Sequence, residues 1–141
     1  MNKKKERKDP AYLREQGNRE ARGAKQRKIT FSFIKHIKGE GESYEEWEAC
    51  GLLSVLLHMM KHIGNYSPIE VRQKKLIKEY KKFPDHSKFN CPKHVGDVVW
   101  AVMHITQNSK EVVVGYIDDD VFYIIFLDKD HKFWPTELRN T

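Results

Sequence analysis

The residues best suited to chemistry stand in one run near the end of the chain, Asp128-Lys129-Asp130-His131-Lys132. Histidine titrates near neutrality, so it can both take and give a proton. In metal-free RNA cleavage, His131 would deprotonate a ribose 2′-hydroxyl or protonate the leaving oxygen. Lys129 or Lys132 would then stabilise the charge developing around phosphorus. The same residue types also suit an ordinary solvated turn after a strand. If the strand continues, alternation puts Asp128 and Asp130 on one side and Lys129 and His131 on the other. A Mg²⁺ shared between Asp128, Asp130 and the Asp118-Asp119-Asp120 run is excluded by length, because the intervening strand spans roughly 23 Å.

His58 and His62 have the i, i+4 spacing of metal ligands on a helix, and His86, Cys91 and His94 follow in a loop. A zinc site of His and Cys ligands is chemically possible from this set. The chain has no paired CxxC and no HExxH, and the two helical histidines serve equally well on an exposed or sheet-edge face. The sequence therefore predicts no metal and no cofactor. Cys91 reads as a plain thiol and Cys50 as a small apolar residue between helices.

Charge is unevenly distributed. The chain has 141 residues and a formal net charge of +6. Residues 1–28 hold eleven basic and four acidic residues, a local charge of +7, so the remainder is close to neutral at −1. Residues 1–27 lack a sustained apolar period and contain Gly17 and Gly23, which predicts a mobile basic arm. Lys3, Lys4, Lys5, Arg7 and Lys8 would draw it to phosphate backbones, or simply keep it solvated. Two cysteines make no disulfide framework, no apolar run is long enough for a membrane span, and the basic start lacks an apolar core for a secretory signal. These features predict a reduced, cytoplasmic protein with no membrane partner.

The elements that must position these groups follow from periodicity. Ile29-Thr30-Phe31-Ser32-Phe33-Ile34 alternates as a half-buried strand. Ser43 caps a helix predicted over 44–63, with Trp47, Cys50, Leu53, Leu57, Met60 and Ile63 near helical spacing. Ser67-Pro68-Ile69-Glu70 opens a second helix that should run to about Lys82. Ile69, Leu76, Ile77 and Tyr80 would face inward, with Lys74, Lys75, Lys78, Lys81 and Lys82 forming a basic outer face for nucleic acid. Residues 83–96 read as a long loop. Strands are then predicted over 97–105, 111–117 and 121–127, and a short piece at 132–134 can pair at an edge. The order β-α-α-β-β-β predicts an α+β fold over residues 28–141, with a helical hairpin on a mostly antiparallel four-stranded sheet. Most aromatics belong to the core. Phe133-Trp134 has three uses open to it: burial at the sheet edge, stacking on RNA bases, or docking a partner strand.

Three segments together resemble the RelE/ParE-like toxins of bacterial toxin–antitoxin systems, over about residues 28–135. They are the Lys28-Ile29-Thr30-Phe31-Ser32-Phe33 strand, the capped helical hairpin, and the closing hairpin from Val114-Gly115-Tyr116 to Val121-Phe122-Tyr123-Ile124-Ile125-Phe126-Leu127-Asp128-Lys129-Asp130-His131-Lys132-Phe133-Trp134. The resemblance implies endoribonuclease activity on mRNA, free or on the ribosome, without a metal, and a cognate antitoxin as partner. It also implies Lys, Arg, His or Tyr on the concave face of the sheet. Beyond residue 28, arginine occurs only at Arg72 and Arg139, so an arginine-rich catalytic sheet is absent. A second class of function fits the same chain: a non-catalytic module of a phage or mobile element that binds a protein through a sheet edge and nucleic acid through the arm.

Overall fold

The computed structural model describes residues 27–135. The basic arm, including Lys3, Lys4, Lys5, Arg7 and Lys8, lies outside the described residues except for Arg27.

The fold is α+β. Strand β1 (Thr30–Ser32) is followed by three helices, α1 (Tyr44–Ala49), α2 (Leu52–Ile63) and α3 (Pro68–Gln73). Strands β2 (Lys78–Glu79), β3 (Trp100–His104), β4 (Val112–Asp118) and β5 (Val121–Asp128) complete the sheet. Its order is β1-β5-β4-β3-β2. The sheet has five strands rather than the expected four, and it is mixed. β1 runs parallel to β5, while β5–β4, β4–β3 and β3–β2 are antiparallel.

The closing hairpin lies at the sheet's centre, as its apolar runs require. Val112 to Tyr116 and Ile124 to Leu127 are buried. The helices cover one face: Trp47, Leu56, Ile63 and Val71 pack on Met103, Val113, Phe122, Ile124 and Leu127. Among the described residues, no helix covers the other face. Phe83, Phe89, Val95 and Val98 of the long loop, together with Phe133, cover Trp100, Val102, Val114 and Phe126 instead. Burying each such large side chain is worth about 1.5–3 kcal/mol relative to exposure.

The turn between β4 and β5 is only two residues long, with Asp118 paired to Val121 and Asp119 at φ +60°. A bulge follows. Val114 pairs with Phe126 but Gly115 with Ile124, so Ile125 is the extra residue. A Cβ at Gly115 would overlap the Tyr123 carbonyl, so the bulge requires glycine. The Ile125 carbonyl accepts from Ile37 N–H at 3.0 Å, which ties the segment after β1 to the bulge.

Both predicted helix starts form. Ser43 with Glu46, and Ser67 with Glu70, make complete capping boxes. The helix ends differ from expectation. The helix predicted over 44–63 is broken at Cys50–Gly51, because Gly51 adopts φ +76° and ends α1 before α2 begins. Cys50 is consequently an exposed cap residue and does not lie between helices. Ile69, expected inward, is 45% exposed, and Leu57, one of the residues near helical spacing, is 54% exposed.

The second helix ends at Gln73 and does not reach Lys82. Lys75 takes φ +58°, and Leu76 N–H donates back to Val71 O at 3.0 Å, which closes the helix in a Schellman-type turn. Ile77 then enters the core and Lys78–Glu79 pairs with β3. The gain from pairing an otherwise open edge of β3 outweighs local helix propensity. The resulting edge strand is two residues long and carries a lysine, which limits further strand addition. β3 begins at Trp100 rather than at 97, and residues 132–134 form no strand.

A candidate acid–base site at the end of the central hairpin

The loop after β5 is held by two buried carboxylates. Asp128 is fully buried. Its Oδ1 accepts from Lys132 N–H and its Oδ2 from Phe133 N–H, each at 2.8 Å. Burial raises the Asp128 pKa despite these two donors, which act in the opposite direction. Glu42 anchors the strand end from the other side. Its Oε1 accepts from Trp47 Nε1–H at 2.8 Å and from Lys129 N–H at 2.7 Å, while its own N–H donates to Leu127 O at 2.8 Å. Gly41, at φ +70°, lets the chain approach Leu127 that closely, since a Cβ there would meet the Leu127 carbonyl. Lys88 N–H donates to Lys132 O at 3.0 Å, and Phe133 packs against Phe83 and Trp100. Asp128 is therefore a structural residue that shapes the loop.

β5 stops at Asp128, so the alternation expected beyond it is replaced by a turn. His131 sits in that turn at φ +59°, a left-handed conformation costing about 1 kcal/mol for a residue with a Cβ. Its Nδ1 is 2.8 Å from the Trp134 carbonyl. The His104 ring lies alongside, with centroids 5.8 Å apart and planes inclined by 37°. His104 Nδ1 is 3.3 Å from the Ser109 carbonyl. A carbonyl can only accept, so the bonding assigns the Nδ1 hydrogen to both rings and leaves each Nε2 with a lone pair when neutral. The His104 pKa is lowered by partial burial, and further by the charges of His131 and Lys78, against the opposing effect of the Ser109 carbonyl. Neutral imidazole is thus favoured at His104.

Lysines gather around Asp130, the residue before His131. Lys129 Nζ is 3.2 Å and Lys110 Nζ 3.6 Å from the Asp130 carboxylate. The Lys129 pKa is raised by its hydrogen bond to Asp130. Partial burial works to raise the Asp130 pKa, but Lys129, Lys110 and Lys132 together hold it below the ordinary value. Lys132 is exposed. Of the three residues singled out by sequence, Lys132 is exposed on the loop, His131 is half-buried there with Nδ1 on the Trp134 carbonyl, and Lys129 is engaged with Asp130.

The remaining candidates separate. Lys74, Lys75 and Lys78 do not share a helix face. Lys74 caps α3 with its ammonium over the Tyr66 ring at 5.3 Å, Lys75 lies in the turn, and Lys78 is on edge strand β2. Only Lys78 reaches the site, through its effect on His104. His58 and His62 are exposed on α2, and His86, Cys91 and His94 are exposed in the long loop. Among the described residues, no three His, Cys, Asp or Glu residues are grouped to hold a metal ion. Asp118 to Asp120 lie at the far end of β5 from Asp128, with Arg27 3.9 Å from both Asp119 and Asp120.

His104 is the residue that sequence reasoning missed. Its signal is the end of an apolar run, Trp100-Ala101-Val102-Met103-His104, which mirrors the way β5 ends in Asp128. Register makes the connection: His104 pairs with Val112, and Val112 with Asp128.

Comparison of the chain with protein-family models, with curated proteins and with solved structures finds no match in any of the three. Among the described residues, no helix is long and apolar enough to cross a membrane.

Proposed function

We propose that this chain is a metal-independent endoribonuclease of the RelE-like toxin kind, acting on mRNA in the cytoplasm and held in check by an antitoxin. The observation that carries the chemistry is the imidazole pair 5.8 Å apart, each with Nδ1 on a backbone carbonyl. His104, favoured in its neutral form, takes the proton of the ribose 2′-hydroxyl on Nε2. The 2′-oxygen forms a bond to phosphorus, and the bond from phosphorus to the 5′-oxygen breaks. Protonated His131 gives its Nε2 proton to that leaving oxygen. The products are a 2′,3′-cyclic phosphate and a free 5′-hydroxyl. Lys132, with Lys129 once drawn from Asp130, stabilises the oxygens that gain charge in between.

Two measurements test this reading. Expression of the intact chain should arrest bacterial growth, and His131→Ala or His104→Ala should relieve the arrest. Purified protein should cut single-stranded RNA in the presence of a chelator, and each variant should lose roughly a hundredfold or more in rate. Unaffected growth together with RNA left whole would end the enzyme reading. A non-catalytic module of a phage or mobile element would then take its place, with Ile34, 83% exposed just beyond edge strand β1, as its natural contact residue.

A further inference from the structure

Next to the histidine pair, the chain forms a cleft of about 450 Å³ lined by Tyr80, Lys81, Lys82, Pro84, Asp85 and Trp134, among others. Its volume falls in the range that accepts small ligands. The Tyr80 and Trp134 rings stack nearly parallel, with centroids 5.1 Å apart and planes inclined by 9°. Trp47 and Trp100 are buried in the core, whereas Trp134 is partly exposed. Trp134 joins two regions. Its ring lines the cleft, and its carbonyl accepts the His131 Nδ1 hydrogen at 2.8 Å. A substrate whose reacting phosphate lies at the histidines therefore has a flat, aromatic-walled recess beside it.

From this we infer a subsite for one unpaired nucleobase of a single-stranded RNA. The inference rests on the RNA-cleavage reading and names where the substrate is held. The base stacks against the Trp134 ring, which Tyr80 backs from its other side, and any base can do so because every base has a π face. Lys81 and Lys82, both exposed, attract the neighbouring phosphates. Asp85, 3.6 Å from Lys82, offers an acceptor to an exocyclic amine. A base paired in a duplex cannot enter, so the subsite selects unpaired RNA.

The test uses the full chain and a 2′-O-methyl oligoribonucleotide, which has no 2′-hydroxyl to attack and stays whole. Binding should quench tryptophan emission, and the signal should report Trp134 because the other two tryptophans are buried. By fluorescence anisotropy of a labelled oligonucleotide, Trp134→Ala should bind about tenfold more weakly, and Trp134→Phe should keep most of the affinity. Lys81→Ala with Lys82→Ala, at exposed positions that leave packing intact, should also weaken binding and reduce its salt dependence. Unchanged emission on binding, or wild-type affinity in Trp134→Ala, overturns the subsite. Cleavage of ordinary RNA separates the two ideas. If RNA is cut but Trp134→Ala binds normally, the subsite fails and the cleavage reading stands. If the oligonucleotide stacks on Trp134 but ordinary RNA is never cut, the subsite stands and the cleavage reading fails.

Discussion

Replacing Asp128 tests whether the loop after β5 is held by its buried carboxylate. In Asp128→Ala, the N–H groups of Lys132 and Phe133 lose their acceptors. The Phe133 N–H is buried, and leaving it unpaired costs about 1–3 kcal/mol. Lys132 is exposed, so water replaces its partner at little cost. The variant also escapes burying a carboxyl group, which offsets part of the loss. The net expectation is about 2 kcal/mol of destabilisation, or roughly 8 °C in Tm for a domain of this size. Asp128→Asn should fall on the same side, since its amide keeps one acceptor but sets an NH₂ group against the other N–H. Urea and thermal unfolding followed by circular dichroism give the magnitude, and amide exchange at Phe133 reports the loop directly.

The pH dependence of that difference adds a second check. Folded Asp128 holds its proton more tightly than the unfolded chain does, because its pKa is raised from 3.8. Between those two values the native state binds more protons, so native stability falls as pH rises through the window. The advantage of wild type over Asp128→Asn should therefore be greatest at the acid end and shrink as pH rises from about 4. A loss below about 0.5 kcal/mol in Asp128→Ala, with the Phe133 amide still protected, would refute the claim that this carboxylate fixes the loop.

Two further predictions concern the same region. Glu42→Ala should cost about 2–4 kcal/mol, because it orphans the buried Trp47 indole N–H and the Lys129 N–H, whereas Glu42→Gln should be nearly neutral, because both bonds fall on Oε1, an oxygen that glutamine retains; equal losses in urea unfolding would count against it. The rate of RNA cleavage should rise with pH along an acid limb whose midpoint lies below 6.5, since His104 must be neutral to accept a proton and its pKa is lowered; an acid limb unchanged in His104→Gln would remove this residue from the base role.

Local signals carried much of the fold. β4 and β5 were legible within a residue or so, because runs buried on both faces are bounded by polar turns. The helix starts at Ser43 and Ser67 were legible because a capping box is complete within four residues. Helix ends were not. The apolar period runs through Cys50–Gly51 without interruption, and only the left-handed Gly51 divides it. The lysine-rich stretch from Lys74 to Lys82 suits a helix equally well in isolation. It becomes a turn and an edge strand because β3 offers a partner and the core accepts Ile77.

The site divides the same way. Sequence alone determined that a polar, histidine-bearing segment follows a central apolar strand, since hydrophobic patterning depends only on neighbours along the chain. It also determined that charge is concentrated near the start. Tertiary structure decided which histidine stands beside His131, because His104 lies 27 positions away and reaches it only through the register of three antiparallel strands. It likewise made Asp128 a buried anchor, since burial and the two N–H groups that meet a carboxylate are set by the packing of the whole domain.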